Sequence, residues 1–364
     1  MAGLPEIQVH FQRAFPGIDF RIEDYRLATA RTRSGWVAER LPSRRSATEY
    51  VEIDLAGESL LVPLMARGAD SSFGVTQYPR WRMRAAHSPD RNTYVVPKTV
   101  LSCDAFINLP KMKTHQKAGM TGALKNLVGI NGHKDHLPHF RYGSPDSGGD
   151  EYPDGGPLWD LMWYFHHLEW ELDGGRRKQF YRACARATAA ALRITGTRRH
   201  FLWLGGGSWH GNDTIWRTVL DLNRLFFYYD PASGRLGPEP RKDIAYLAIL
   251  DGIVGGQQEG PLAPFPIRSG WLIGGRNPVA VDAVATGCMG FDIDKVSMFA
   301  GAFGLDRFPL TRFATRDIRI RGWDRAESLQ DIYSRRLFTP FQPSLGYRGH
   351  IEYRYGENGQ GSSA

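Results

Sequence analysis

Cysteine is scarce, with three residues (Cys103, Cys184 and Cys288) in 364. They lie far apart and lack Cys-x-x-Cys spacing, which excludes a disulfide scaffold and an iron–sulfur cluster held by cysteine. Scattered thiols fit a reducing compartment, so a cytoplasmic location is expected. No continuous apolar run reaches the ~18 residues of a membrane span. The opening MAGLPEIQVHFQRAF has no long apolar core after a basic start, so no secretory leader is expected. A Gly-x-Ser-x-Gly elbow, a Gly-Lys-Ser/Thr phosphate loop and a dinucleotide fingerprint between strand and helix are all missing. Hydrolase and nicotinamide chemistry therefore lack support. No nucleic-acid module is recognisable, and no nucleic-acid partner is expected.

What the chain does have is positive charge. Its 46 Lys+Arg exceed 38 Asp+Glu, for a net charge of +8. That balance favours an anionic partner, and the length permits one large domain or two moderate ones. The 42% apolar share supports a packed core.

Strand-like and helix-like segments alternate along the chain. Tyr50–Leu55 and Ser59–Leu64 read as a hairpin around Ala56-Gly57-Glu58, and Arg80–Arg91 as an exposed loop. Thr99–Leu109, Ile244–Leu250 and Trp271–Gly274 read as buried strands, the second closed by Asp251-Gly252. Residues 131–156 form a long loop rich in Gly, Pro, His and Asp. Leu158–Leu172 and Arg176–Ile194 suggest a helical hairpin turned at Asp173-Gly174-Gly175. Asp213 is expected to cap a helix running to Tyr229, whose buried stripe is Ile215, Val219, Leu222, Phe226 and Tyr229. Pro278 opens a helix through Met289. The pattern predicts an α/β fold with a layered, mostly parallel sheet, helices on both faces and a helical insertion. The parts are residues 1–150, the insertion at 151–235, a closing α/β part at 236–350, and a disordered tail at 351–364.

The richest stretch runs from Phe106 to Gly129, FINLPKMKTHQKAGMTGALKNLVG. Four lysines, one histidine and two asparagines surround an apolar strand end and a Gly-rich turn. Cations beside an apolar segment mark the rim of a cleft that receives an anion. Ligands of α/β folds gather at the carboxyl ends of strands, where Asn108–His115 and Asp251–Glu259 both fall.

INLPKMKTH followed by TGALKNLVG resembles the core signature of the domain-of-unknown-function family numbered 362. GNDTIWRTVLDLNRL resembles a block from a subgroup met near surface-polysaccharide genes. LAILDGIVGGQQEGP and LIGGRNPVAVDAVA resemble the closing blocks. The resemblance spans about Val51 to Ala300. It lacks the Lys-Pro-Asn segment that many members carry before the INLP block, so a truncated chain or a shortened member is expected. The subgroup implies an anionic sugar, either a sugar phosphate or a carboxylated sugar in surface-glycan biosynthesis.

Lys113, His115 and Lys125 are the first candidates for catalysis. A lysine of depressed pKa can act as base or nucleophile, and histidine moves protons near neutral pH. Lys111, Asn108 and Asn126 are candidate substrate contacts. Asp251 and Glu259 bracket Gly255-Gly256, so a flexible turn would bring both carboxylates to one point, joined by Asp282. Such a group suits acid–base work or a divalent ion. In the loop, His133, His136 and His139 offer imidazoles for zinc or another divalent metal, while Lys134 and Arg141 suit clamping an anion. Asn212, Asp213 and Arg217 surround a helix N-terminus preceded by Gly205-Gly206-Gly207, a weak phosphate signal. The equally simple alternative is a capped helix with surface ion pairs.

The expected protein is thus a cytoplasmic enzyme acting on an anionic small molecule. A non-catalytic binding or scaffold protein is one alternative. A peripheral membrane factor, using the basic helix Arg176–Arg199, is the other. Substrate, reaction and oligomeric state are not written in the sequence.

Overall fold

The computed structural model describes residues 3–33, 36–43, 45–65, 73–172, 174–194, 204–322 and 325–354. Helix α1 (Leu4–Ala14) buries none of its residues. Strand β1 (Tyr50–Asp54) pairs antiparallel with β2 (Arg91–Pro97). Two halves of one broken strand follow, β3 (Ala105–Asn108) and β4 (Lys111–His115), and then β5 (Gly119–Thr121) and the single helical turn α2 (Ala123–Asn126). Helices α3 (Pro157–Trp170) and α4 (Gly175–Ile194) form a hairpin, and α5 (Ile215–Tyr228) returns to the core. Two long strands, β6 (Ala245–Gln257) and β7 (Phe265–Gly275), precede α6 (Pro278–Cys288).

The main sheet is built around β6. β3 and β4 both run parallel to it, with Asn108 opposite Ala248 and Lys111 opposite Asp251. Pro110 breaks the strand because it has no N–H, yet its carbonyl still accepts from the Asp251 N–H at 2.9 Å. β7 joins β6 antiparallel, and β5 joins β4 the same way. The α/β class is therefore as expected, with mixed strand directions. The parallel pairs come from the long crossover carrying α2–α5, and hairpins add the antiparallel strands.

Alternation along β6 divides the sheet into two faces. Tyr246, Ala248 and Leu250 turn inward with Met112 of β4, against α5 and α6. Phe106 of β3 meets Phe226 of α5 with ring centroids 4.7 Å apart. The other face carries Ile107, Leu247, Ile253 and Leu272, all exposed. α5 is buried nearly all round, including the whole stripe Ile215, Val219, Leu222 and Phe226. It belongs to the main core, whereas α3 and α4 enclose a separate aromatic cluster with Trp159, Trp163 and Trp170.

Four local expectations are corrected, the first being the buried strand Thr99–Leu109, of which Thr99–Leu101 is helical, only Ala105–Asn108 is strand, and Ile107 and Leu109 are exposed. Tyr50–Asp54 pairs with Arg91–Pro97, and Ala56–Glu58 and Val62–Met65 are helical turns. Leu61, Leu64 and Met65 point into one small cluster at helical spacing, which a strand would separate. Arg80–Ala86 is a helix, because Met83 and Ala86 are buried on one side while Arg80 reaches Glu171 at 3.0 Å. Gly255-Gly256 is part of β6, not a turn, since the strand continues six residues past Asp251. Within the expected tail, Ile351 is buried, and 355–364 lie outside the described residues, as does Asp173 of the helical turn.

Candidate functional site

The turn bearing Lys125 is positioned by a carboxylate from the far end of the chain. Asp282 of α6 is fully buried and accepts the N–H groups of Ala123 (2.5 Å) and Leu124 (2.8 Å). It satisfies the free donors at the start of α2, as a capping side chain does. Burial pushes its pKa up to about 7, against the pull of those two hydrogen bonds. Only glycine fits at 122, because a Cβ there would overlap the Asp282 carboxylate. Asn108 is locked beneath the turn. Its amide donates to the Ala123 carbonyl and the Tyr246 hydroxyl, both at 2.9 Å, and its oxygen accepts from Asn126 at 2.7 Å. Asn108, Asn126 and Asp282 are therefore supports for the turn.

Around Lys125 the structure collects cations. His115 ends β4 and is buried, and Lys117 follows it. The Lys117 ammonium donates to the Gly206 carbonyl, lies 3.5 Å from the Thr76 hydroxyl and stands 5.5 Å from the centre of the Phe140 ring. Gly206 has φ of 65°, a conformation that suits glycine. Lys134 sits over Tyr78 at 5.2 Å. Among the described residues, no carboxylate pairs with Lys113, Lys117, Lys125 or Lys134.

Burial and mutual repulsion show in the protonation of the cluster. Burial lowers the Lys117 pKa to about 7, with Lys134 and Lys125 adding to the effect and Glu151 and Asp150 opposing it. Lys125 falls to about 8 through burial, then the charges of Lys134 and Lys113. Burial also lowers Lys134. His115 and His139 both lie well below the usual imidazole range, through burial first and the surrounding lysines second. Their tautomers follow from the backbone. His115 Nδ1 accepts N–H groups from Lys117 (3.0 Å) and Ala118 (3.2 Å), so its proton is on Nε2. His139 Nδ1 faces the Leu137 carbonyl at 2.6 Å, so it carries the proton and Nε2 is a lone pair. One ring is held as a donor and the other as an acceptor.

The other sequence candidates lie apart from this group. Lys111 pairs with Asp251 at 2.8 Å on the exposed sheet face. Glu259 accepts from the Gln116 amide (3.0 Å) and the Leu345 N–H (3.1 Å), which ties the end of β6 to neighbouring loops. Asp251 does meet a lysine, Lys111, but the extended strand keeps positions 251 and 259 apart, so the two carboxylates do not converge on one point. His133 and His136 stack with ring centres 5.0 Å apart, and Asp135 is taken by Arg82 at 3.0 Å. His139 is turned away to the lysines. Among the described residues no group of three His, Cys, Asp or Glu is arranged to hold a metal.

Thr214 is the N-cap of α5, and Asn212, not Asp213, supplies the side-chain acceptor before it. The Asn212 oxygen accepts the Thr214 and Ile215 N–H groups at 3.0 Å, a job Asp213 cannot do while paired with Arg217 at 3.1 Å. Arg217 also donates to the Leu60 carbonyl. Arg141 stands 3.6 Å from buried Asp150, which further accepts from Thr214 at 2.6 Å. A groove of about 710 Å³ runs along β7, α6 and Asp317–Gly322 and contains none of these cations.

A family model described as a domain of unknown function, DUF362, matches residues 74–287. The chain belongs to this family. No curated protein and no solved structure matches it. The DUF362 span holds every cation of the cluster together with Gly122, Asp282 and the α5 cap. Lys117 is the member of this cluster least legible from sequence. Its signal was its place two residues beyond His115 at a strand end, and the buried pair Asp150-Glu151 that faces it.

Proposed function

We propose that the cluster of Lys113, Lys117, Lys125, Lys134, His115 and His139 binds an anionic small molecule. One observation carries the reading. Lys125 is held by a buried support in a setting that lowers its pKa, and among the described residues it has no counter-ion. A fold that gains nothing from such a charge keeps it for a ligand that supplies the missing negative charge.

The same groups suit proton transfer. Lysines of pKa about 7 and about 8 divide between charged and neutral forms near neutral pH. A charged one holds the anion while a neutral one accepts a proton. His115, kept neutral, donates from Nε2, and His139 offers a lone pair. Resemblance to the surface-polysaccharide subgroup adds a sugar phosphate or carboxylated sugar as substrate, and among the described residues no helix is long and apolar enough to cross a membrane. The second reading is a binding protein without turnover. It is favoured by the diversion of Asp251 and Glu259 to other partners, which leaves the cluster without the expected acid.

Calorimetric titration with sulfate, glucose 1-phosphate and glucuronate tests the proposal. Saturable binding that is lost in Lys125→Met supports it. Equal heats from wild type and Lys125→Met, with no saturation, would sink it. Turnover of a bound sugar anion then separates enzyme from binder.

A further inference from the structure

We propose that the outer edge of β7 takes up an extended peptide in which acidic and apolar residues alternate, adding it to the main sheet as a further strand. The inference does not depend on the anion site. Among the described residues β7 has a strand partner on one side only, β6, and so ends the sheet. A strand in that position turns alternate backbone N–H and C=O groups outward, where another chain can pair with them. Proteins commonly cover such an edge with a helix or loop. Here a groove of about 710 Å³ lies along Gly270–Gly275 instead. That stretch offers roughly 20 Å of edge to an added strand. The same groove is lined by Val281 and Val284 of α6, by Phe313, and by the segment Asp317–Gly322, in which Ile318 is buried while Arg319 and Arg321 are exposed. Alternate side chains of a strand laid there would enter the apolar lining, and the others would meet the arginines.

Charge selects the occupant. Arg276, Arg319 and Arg321 line the groove, and among the described residues no carboxylate pairs with any of them. Arg319 donates to the Arg316 carbonyl. The one carboxylate among the described lining residues, Asp317, already accepts the Ala314 N–H at 2.9 Å. Arg268, earlier on β7 and exposed, adds to the same sign. Three lining cations against one engaged anion are complementary to an acidic partner. A second copy joined edge to edge would bring the same arginines together across the two-fold axis, and like charges disfavour that arrangement. A small free anion would leave the backbone edge unused.

Fluorescence anisotropy on the full chain tests this, with a labelled octapeptide of alternating glutamate and valine and a lysine–valine control. The expected result is saturable binding of the glutamate peptide alone. Arg319→Glu combined with Arg321→Glu should raise its Kd at least tenfold with an unchanged circular dichroism melt, since both positions are exposed. Methylating the backbone nitrogens of one alternate set of peptide residues should abolish binding, and methylating the other set should leave it, because only one set faces β7. Lys125→Met should bind the peptide as wild type does, which keeps this result apart from that of the anion site. No saturation by the glutamate peptide would overturn the proposal. So would equal binding of the lysine peptide, an unchanged Kd in the double arginine variant, methylation that acts alike in both sets, or loss of binding in Lys125→Met.

Discussion

The Asp282 carboxylate occupies the space that a side chain on residue 122 would need. Its oxygens hold the Ala123 and Leu124 N–H groups, and a Cβ at Gly122 would collide with them. The two residues are 160 positions apart in sequence, and their fit decides where Lys125 stands. Gly122→Ala should therefore destabilise the protein by about 1–3 kcal/mol, the usual cost of overpacking. It should also weaken anion binding, because α2 must shift. Urea denaturation and sulfate titration of the same variant check both.

Replacing Lys125 should stabilise the fold while removing function. Its folded pKa of about 8 lies below the ordinary 10.5, so ionisation is harder in the folded state than in the unfolded one. That penalty is absent above 10.5, grows as pH falls, and is complete below 8. Lys125→Met should thus melt higher than wild type at pH 7, with the difference shrinking toward pH 10.5. A lower melting point at pH 7 would contradict the burial argument.

Affinity for sulfate should fall as pH rises through 7 to 8. Sulfate keeps its charge over this range, whereas Lys117 and Lys125 lose theirs. His115 and His139 are already neutral there and contribute no step. Calorimetry at half-unit intervals from pH 6 to 9 reads the midpoint. A midpoint near 6.5 would instead assign the binding charge to histidine.

The residues set apart by the fold should behave as supports. Lys111→Ala breaks an exposed ion pair worth about 0–1 kcal/mol and should leave the sulfate Kd unchanged. Glu259→Ala leaves the Gln116 amide and Leu345 N–H without their acceptor, at a cost of about 1–3 kcal/mol. Its Kd should also hold. A tenfold rise in Kd for either would return that residue to the site.

The sequence alone determined the α/β class, the helical hairpin at 157–194, the buried stripe of α5 and the helix that starts at Pro278. Each rests on local periodicity or on a proline or glycine signal, which neighbours along the chain suffice to set. It also located the cationic stretch from Lys111 to Lys125, because charge beside an apolar strand end can be read in one dimension. Tertiary structure decided which of those cations converge. Asp251 engaged Lys111, and the histidine loop brought His139 and Lys134 to Lys125. It likewise decided that Asp282 supports a turn and that Glu259 ties down a loop. Those roles depend on contacts between segments more than eighty residues apart, and no local pattern records such a distance.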